Sequence, residues 1–269
     1  MPSLAVETLL PVNTALAVAL VLLLLMGAAS AAWFRLAPDG SCGRAREIAV
    51  AGARAAVQLA VVSLVIVWAV RHTAALLGFL FLMFAVATRT AGRRITTNRT
   101  WWWAAVPLAA PVAPVMAGLV LAGLLPVPGI AIVPVTGILI GGALTATVLA
   151  GRRALDELAQ RHGEVEACLA LGFLDRDARL EIARPAASDA LLPALDQTRT
   201  VGLVTLPGAF VGMLLAGASP VQAGAVQVFV LIALLAVEAI ALALTVELVA
   251  RDRLHRRTAE PERSSARQR

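Results

Sequence analysis

Two places in this sequence hold side chains that could do chemistry where their neighbours cannot. In ARAAVQLAVVSLV, Arg54 and Gln58 stand four apart, and in VLIALLAVEAIALAL Glu238 is the one charged residue. Residues four apart share a helix face. A charge left unpaired in hydrocarbon costs about 2.5–3.5 kcal/mol on insertion scales, so these groups should face protein or water. Arg54 lies about 9 Å inside its apolar stretch at 1.5 Å per residue, and Glu238 lies in the inner half of its own, so the two could meet at similar depth. Two readings stand side by side: a gating or substrate pair, and a static ion pair or an Arg54 that snorkels to the headgroups. The second place is EACLALGFLDRDARLEIARP. There Glu166 and Ala167 are followed by Gly172, then Ile182, then Pro185, while Val165, Leu169, Phe173, Leu180 and Ala183 recur at helical spacing. Short amphipathic helices in a loop of mixed charge suit a protein partner.

What is missing narrows the chemistry. All 23 basic residues are Arg and none is Lys. A Walker A loop needs a Lys that reaches the β- and γ-phosphates, so the chain cannot hydrolyse ATP itself. His72, His162 and His255 show no metal-ligand spacing, and Cys42 and Cys168 form no metal or redox motif. No cluster of His, Asp, Glu or Cys points to an enzyme, and no cofactor is implied.

The elements that must position these residues are membrane spans. The 269 residues are 59% hydrophobic and 15% charged, with a mean hydropathy of +0.83, against about 45–50% apolar and about 25% charged in soluble domains. Seven apolar stretches, residues 9–34, 48–70, 74–88, 101–125, 130–150, 201–217 and 223–250, approach the ~20 residues a spanning helix needs. The first is read as a span and not as a signal peptide, since no basic flank precedes it and its apolar run is long. The third is short and could continue into the basic text after it. Pro107, Pro111, Pro114 and Pro134 should bend the fourth and fifth spans. The expected class is an all-α polytopic membrane protein of about seven transmembrane helices.

Arginine placement orients them. Twenty-one Arg fall in alternate connections and in the C-terminal tail, and Arg71 alone falls in the others. Basic loops stay in the cytoplasm, which predicts an N-out, C-in topology. The net charge of +6 is then a membrane-orientation signal, and no nucleic-acid partner is expected. Trp33, Trp68 and Trp101–Trp103 fall at predicted span ends, where indole prefers the headgroup level. One transmembrane domain is expected over residues 1–258, with a helical cytoplasmic loop at about 151–200 that carries nine of the 17 acidic residues. Residues 259–269 read as a disordered tail.

The segment from Glu166 to Pro185 resembles the E-A-A loop of ABC importer membrane subunits, which reads Glu-Ala-Ala, Gly, then Ile and Leu-Pro at the same offsets. Here Cys168 replaces the second Ala and Arg184 the Leu. The resemblance implies a helix–turn–helix element seated on a separate ATPase, with Glu166, Ala167, Gly172, Ile182 and Pro185 in the coupling contact. PALDQTRTVGLVTLPGAFVGMLLAGASPVQAGAVQ, from Pro193 to Gln227, together with the text around Arg54, Arg89–Arg94 and Gly137–Gly141, resembles the FetB-type permease family. That family includes bacterial iron-export permeases and plant aluminium-tolerance membrane subunits. Its Met-rich text after LPG is replaced here by Ala209, Phe210 and Val211. Its Gly-Met and Gly-Asn pairs are replaced by Gly137-Ile138 and Gly141-Gly142, which removes thioether and amide groups that could ligate a metal.

The resulting expectation is a multi-pass permease subunit in the bacterial inner membrane. It would export an iron-like metal ion or a small solute, act as a homodimer, and be powered by an ABC ATP-binding subunit. The route would be lined by Arg54, Gln58, Gly137, Gly141, Leu206, Pro207, Gly208 and Glu238, with an interrupted helix at Leu206–Gly208. The competing reading is a secondary transporter or channel working through Arg54 and Glu238.

Overall fold

A computed structural model describes residues 13–37, 43–123 and 131–256. The proposed tail at 259–269 lies outside them, as does Cys42. The chain divides into two units, Met1–Arg71 and His72–Arg269.

The first unit is a helical hairpin of α1 (Thr14–Trp33) and α2 (Gly43–Arg71). The Asn13 carboxamide oxygen caps α1 by accepting the Leu16 N–H at 3.0 Å, which satisfies one of the first-turn donors. Twenty residues at 1.5 Å each make about 30 Å, the thickness of a bilayer core. Leu24 of α1 packs down on Gly52 of α2. Most other apolar side chains of the hairpin, among them Leu22, Met26, Val57 and Leu64, point outward. An all-round apolar exterior of this kind is a lipid-facing surface.

The second unit is built on α3 (Thr73–Ile95), α4 (Ala105–Leu121, entered through a 3₁₀ turn at Arg99–Ala104), α5 (Ile132–Gln160) and α10 (Pro220–Ala250). Between α5 and α10 come α6 (His162–Ala170), α7 (Asp175–Ser188), α8 (Leu192–Thr200) and α9 (Gly208–Leu215). The fold is all-helical and polytopic as expected. Six helical segments of the described residues, the four long ones here and both of the first unit, are long and apolar enough to cross a membrane. The third stretch does run on through its arginines as one helix to Ile95. The fifth continues past the apolar layer to Gln160.

Stretch 201–217 departs from its expected form. It contains only the eight-residue α9, preceded by a turn. Pro107 and Pro134 also differ from expectation. They fall in the first turns of α4 and α5, where the missing N–H would have no intrahelical acceptor and nothing is lost. Only Pro111 and Pro114 sit inside α4.

The core of this unit has two centres. At mid-length, Ala87 and Ala91 of α3, Leu108 and Val112 of α4, Ala143 and Ala146 of α5, and Val237 and Ala241 of α10 pack together. Small residues let these backbones approach, the usual basis of helix association in lipid. At one end, Ile95, Ala150, Ala154, Leu180, Ala183, Val249 and Leu254 close a second cluster. This brings the ends of α3, α5 and α10 together with α7, so the basic connections of this unit share one face.

Candidate functional site

Beyond the apolar length of α5, Arg161 turns the chain. Its guanidinium donates from Nη1 to Glu157 at 3.1 Å and grips Glu164 through Nε and Nη2. These carboxylates hold the Arg161 pKa above its usual range, the Glu164 contact contributing most. Arg161 in turn holds the Glu164 carboxyl below the ordinary carboxylate value.

α6 follows and ends at a left-handed residue, Gly172, with φ +92°. The Gly172 N–H donates to the Leu169 carbonyl at 2.9 Å, and the Phe173 N–H to the Cys168 carbonyl at 3.1 Å. This is the Schellman arrangement, which satisfies the last carbonyls of a helix. α7 then returns against α6 over a small core of Val165, Ala178 and Ile182, flanked by Cys168 and Leu158. The helix–turn–helix read from Glu166 to Pro185 is therefore the observed shape.

Within this hairpin Glu166, Ala167, Gly172 and Pro185 are exposed, whereas Ile182 is buried and fastens α7 to α6. His162 Nδ1 lies 3.4 Å from the Glu166 carboxylate. The turn also presents a feature that sequence reasoning passed over. Leu171 is 79% and Leu174 72% exposed, with Phe173 between them also exposed. Apolar groups clustered at the tip of a hairpin outside the apolar spans mark a contact surface. The signal was present in the text Leu-Gly-Phe-Leu, a turn in which three large apolar residues flank the glycine.

The second candidate region is the stretch between α7 and α10 in the same unit. Asp189, in the short 3₁₀ turn Asp189–Leu191 after α7, pairs with Arg153 of α5 at 3.5 Å, near the end where the second core cluster sits. Ser219 caps the opposite end of α10, with Gln222 completing the capping box. The chain from Asp189 to Ser219 must connect these two ends. It does so in two short pieces, α8 of about 14 Å and α9 of about 12 Å at 1.5 Å per residue, neither of which spans ~30 Å alone.

The break between them is a tight turn. The Thr200 carbonyl accepts the Val204 N–H at 2.9 Å, and the Gly202 N–H donates to the Thr205 carbonyl at 2.8 Å. Leu206, Pro207 and Gly208 follow, the first of them exposed. Irregular backbone of this kind is compatible with a membrane only where protein or water surrounds it, because hydrocarbon cannot hydrogen-bond it.

Glu238 is 7% exposed and packs over Gly142 of α5, next to Leu234. No hydrogen bond or ion pair reaches its carboxylate among the described residues of this unit. About three turns away on the same face of α10, Gln227 is 6% exposed, and its side-chain oxygen has no partner among the described residues. The glycines of α5 separate by role. Gly137 faces Met83 of α3 and Gly142 faces α10, whereas Gly141 has open space where a Cβ would lie, as does Gly208 at the start of α9. Arg54 and Gln58 are exposed on α2 and belong to the first unit. A cleft of about 460 Å³ between α3, α4 and α5 is lined by apolar groups such as Phe84, Val112, Met116 and Ile140, and offers nothing to a charged solute. Among the described residues no three His, Cys, Asp or Glu gather as a metal site.

Comparison with known proteins agrees with this architecture. The model of the family described as "Uncharacterised protein family (UPF0014)" matches residues 12–254. The chain is 36% identical over 189 residues to "UPF0014 membrane protein STAR2" of Oryza sativa subsp. japonica, covering 69% of this chain and 66% of that protein. It is 36% identical over 157 residues to "Protein ALUMINUM SENSITIVE 3" of Arabidopsis thaliana, covering 58% and 57%. It is 31% identical over 120 residues to "Probable iron export permease protein FetB" of Escherichia coli (strain K12), covering 45% and 46%. The matched part thus spans two-thirds or less of each of these relatives. No solved structure matches.

Proposed function

We propose that this chain, which belongs to the UPF0014 family, is the membrane-spanning permease subunit of an ABC transporter. The observation that carries this reading is the α6–Gly172–α7 hairpin. It is an element outside the apolar spans, built on the Glu166–Pro185 spacing; Leu180 and Ala183 pack α7 into the second core cluster, while the apolar tip at Leu171, Phe173 and Leu174 is left exposed. A separate ATP-binding subunit receives the tip, because a chain without Lys has no Walker A loop. The complex is a two-fold homodimer with two ATPases, the commonest closed symmetry, in the bacterial inner membrane. Its cargo is an iron-like metal ion or a small solute moved outward. The permease name of a relative supports that direction.

The solute route follows the break between α8 and α9 and the neighbouring polar face of α10. Gly141 and Gly208 border it, Gly137 sets the spacing of α5 from α3, and Glu238 supplies a carboxylate. Arg54 and Gln58 form a separate polar surface on α2. Purification of the chain with its ATPase, followed by measurement of ATP turnover with and without ferrous iron, tests the reading. A chain that recovers no ATP-binding subunit overturns it. Gly208→Ala meets no neighbour and should leave the stability of the complex within about ±0.5 kcal/mol, as neutral substitutions do. It should nonetheless change solute-stimulated turnover, as should Gln58→Ala on its own surface. Loss of turnover explained in full by loss of stability would remove the route.

The topology is N-out, C-in. Cys168, a free thiol on the hairpin, should stay unlabelled by an impermeant thiol reagent in sealed cells and react once the membrane is opened. Labelling of Cys168 from outside would invert the assignment. A cysteine at Val127, the expected outside marker, falls outside the described residues.

A further inference from the structure

α10 does not simply end at Ala250. The Asp252 N–H donates to the Val249 carbonyl at 3.0 Å and the Arg253 N–H to the Leu248 carbonyl at 2.9 Å, a Schellman turn in which the left-handed position is normally Gly. Here it is Asp252, with φ +57°. The chain then folds back as a strap. Leu254 is fully buried between α3, α5, α7 and α10. The His255 carbonyl accepts the Thr96 hydroxyl at 2.8 Å and the Asn98 amide at 3.2 Å. The Arg256 Nε–H donates to the Ile95 carbonyl at 3.0 Å, and its guanidinium also holds Asp156 of α5. Arg253 lies over the Trp103 ring at 5.2 Å. The strap therefore ties the end of α10 to the α3–α4 connection and to α5.

The hairpin grips this same junction. Arg176, on the first turn of α7, forks onto Glu247 of α10 at 2.7 and 2.8 Å. Arg179, one turn on, donates to Asp252 at 3.0 Å. A forked Arg–carboxylate contact fixes orientation as well as distance. Asp252 holds a backbone conformation that costs a side chain something and a glycine nothing. Its side chain is what Arg179 holds, so the strained position has an occupant with a use.

We propose that Glu247 and Asp252 are the positioning residues through which the α6–α7 hairpin drives the membrane helices: Arg176 and Arg179 pull on the end of α10, and the strap passes that displacement to α3, α4 and α5. The proposal rests on the permease reading above. α10 also carries Glu238, nine residues from Glu247, so movement of its end moves the carboxylate assigned to the route.

Hydrogen exchange on the assembled complex, with and without ATP and vanadate, tests the linkage directly. In the unaltered complex, trapping the nucleotide should change exchange both in residues 162–188 and in residues 95–100 and 251–256. In Asp252→Gly and Glu247→Gln the hairpin should still respond, while the response of the other two segments falls several-fold. Asp252→Gly separates this from a purely structural role, since relief of the left-handed strain should leave the melting temperature the same or higher. Arg179→Gln makes the same cut from the exposed side of the contact, and Arg176→Lys keeps the charge but loses the fork. Full strap responses in Asp252→Gly and Arg179→Gln would overturn the proposal while leaving the permease reading intact. Absence of any complex with the ATPase, or of any hairpin response in the unaltered one, would remove both.

Discussion

Replacing Gly172 by valine should reduce recovery of the ATP-binding subunit by about tenfold or more, since forcing a β-branched residue into a left-handed conformation costs about 1–3 kcal/mol. Gly172 has φ +92°. There Val meets the steric conflict that confines this region to Gly and, less often, Asn or Asp. Nothing crowds the position from outside, so the effect is one of backbone conformation and not of packing. The turn that would be lost holds Leu171, Phe173 and Leu174 at the tip. The damage therefore falls on the surface offered to the partner, while the Val165–Ala178–Ile182 contact still ties α6 to α7. Gly172→Asn, which tolerates the left-handed region, should recover much of the binding. Co-purification and coupled ATP turnover measure the outcome. A Val variant that assembles and couples as the unaltered chain does would refute the coupling role of the hairpin.

Gly92→Ala should lower the stability of the second unit by about 3 kcal/mol, the upper part of the range for overpacking. A Cβ on Gly92 would lie 2.1 Å from the Trp101 carbonyl oxygen and 2.8 Å from its carbon. These are backbone atoms of the 3₁₀ turn that opens α4, so no rotamer change relieves the clash. α3 and the turn would have to separate, and the separation would reach the Thr96 and Asn98 donors that hold the His255 carbonyl. Gly118→Ala and Gly224→Ala are the controls. Both lie inside helices with nothing within 4 Å, and an exposed helical Gly→Ala gains up to about 1 kcal/mol. Thermal unfolding in detergent separates the three. Equal midpoints for Gly92→Ala and the controls would contradict the close approach of α3 to Trp101.

The hairpin is the element most legible in the text, and the reason is local. A helix that ends in a Schellman turn is specified by a glycine and its neighbours within a few residues, so Glu166–Gly172–Ile182 could be read without knowing what lay across from it. The apolar composition of stretch 201–217 suggests a span. Yet Pro207 removes an N–H, and Gly202 and Gly208 weaken helix continuity. Apolar composition reports the medium around a segment and leaves its backbone path open. Gly92 sat unnoticed among arginines, since its importance depends on the distant Trp101 carbonyl and no periodicity encodes that.

What the sequence determined by itself is the solvent and the local form: an apolar, all-helical chain with arginines gathered in alternate connections and helical spacing on both sides of Gly172. These follow from hydration cost and backbone sterics, which act residue by residue. What only the tertiary structure decided is which groups meet. Gly137 and Gly142 face neighbouring helices while Gly141 faces open space. Ile182 is core while Leu171 and Leu174 are surface. Arg176 and Arg179, ordinary members of a charged loop in the text, close on Glu247 and Asp252 at the far end of the chain. Those contacts join residues about 70 positions apart, and the register of α7 against α10 is set by packing of Leu180 and Ala183 on Val249 and Leu254, a property of the assembled helices that neither segment carries alone.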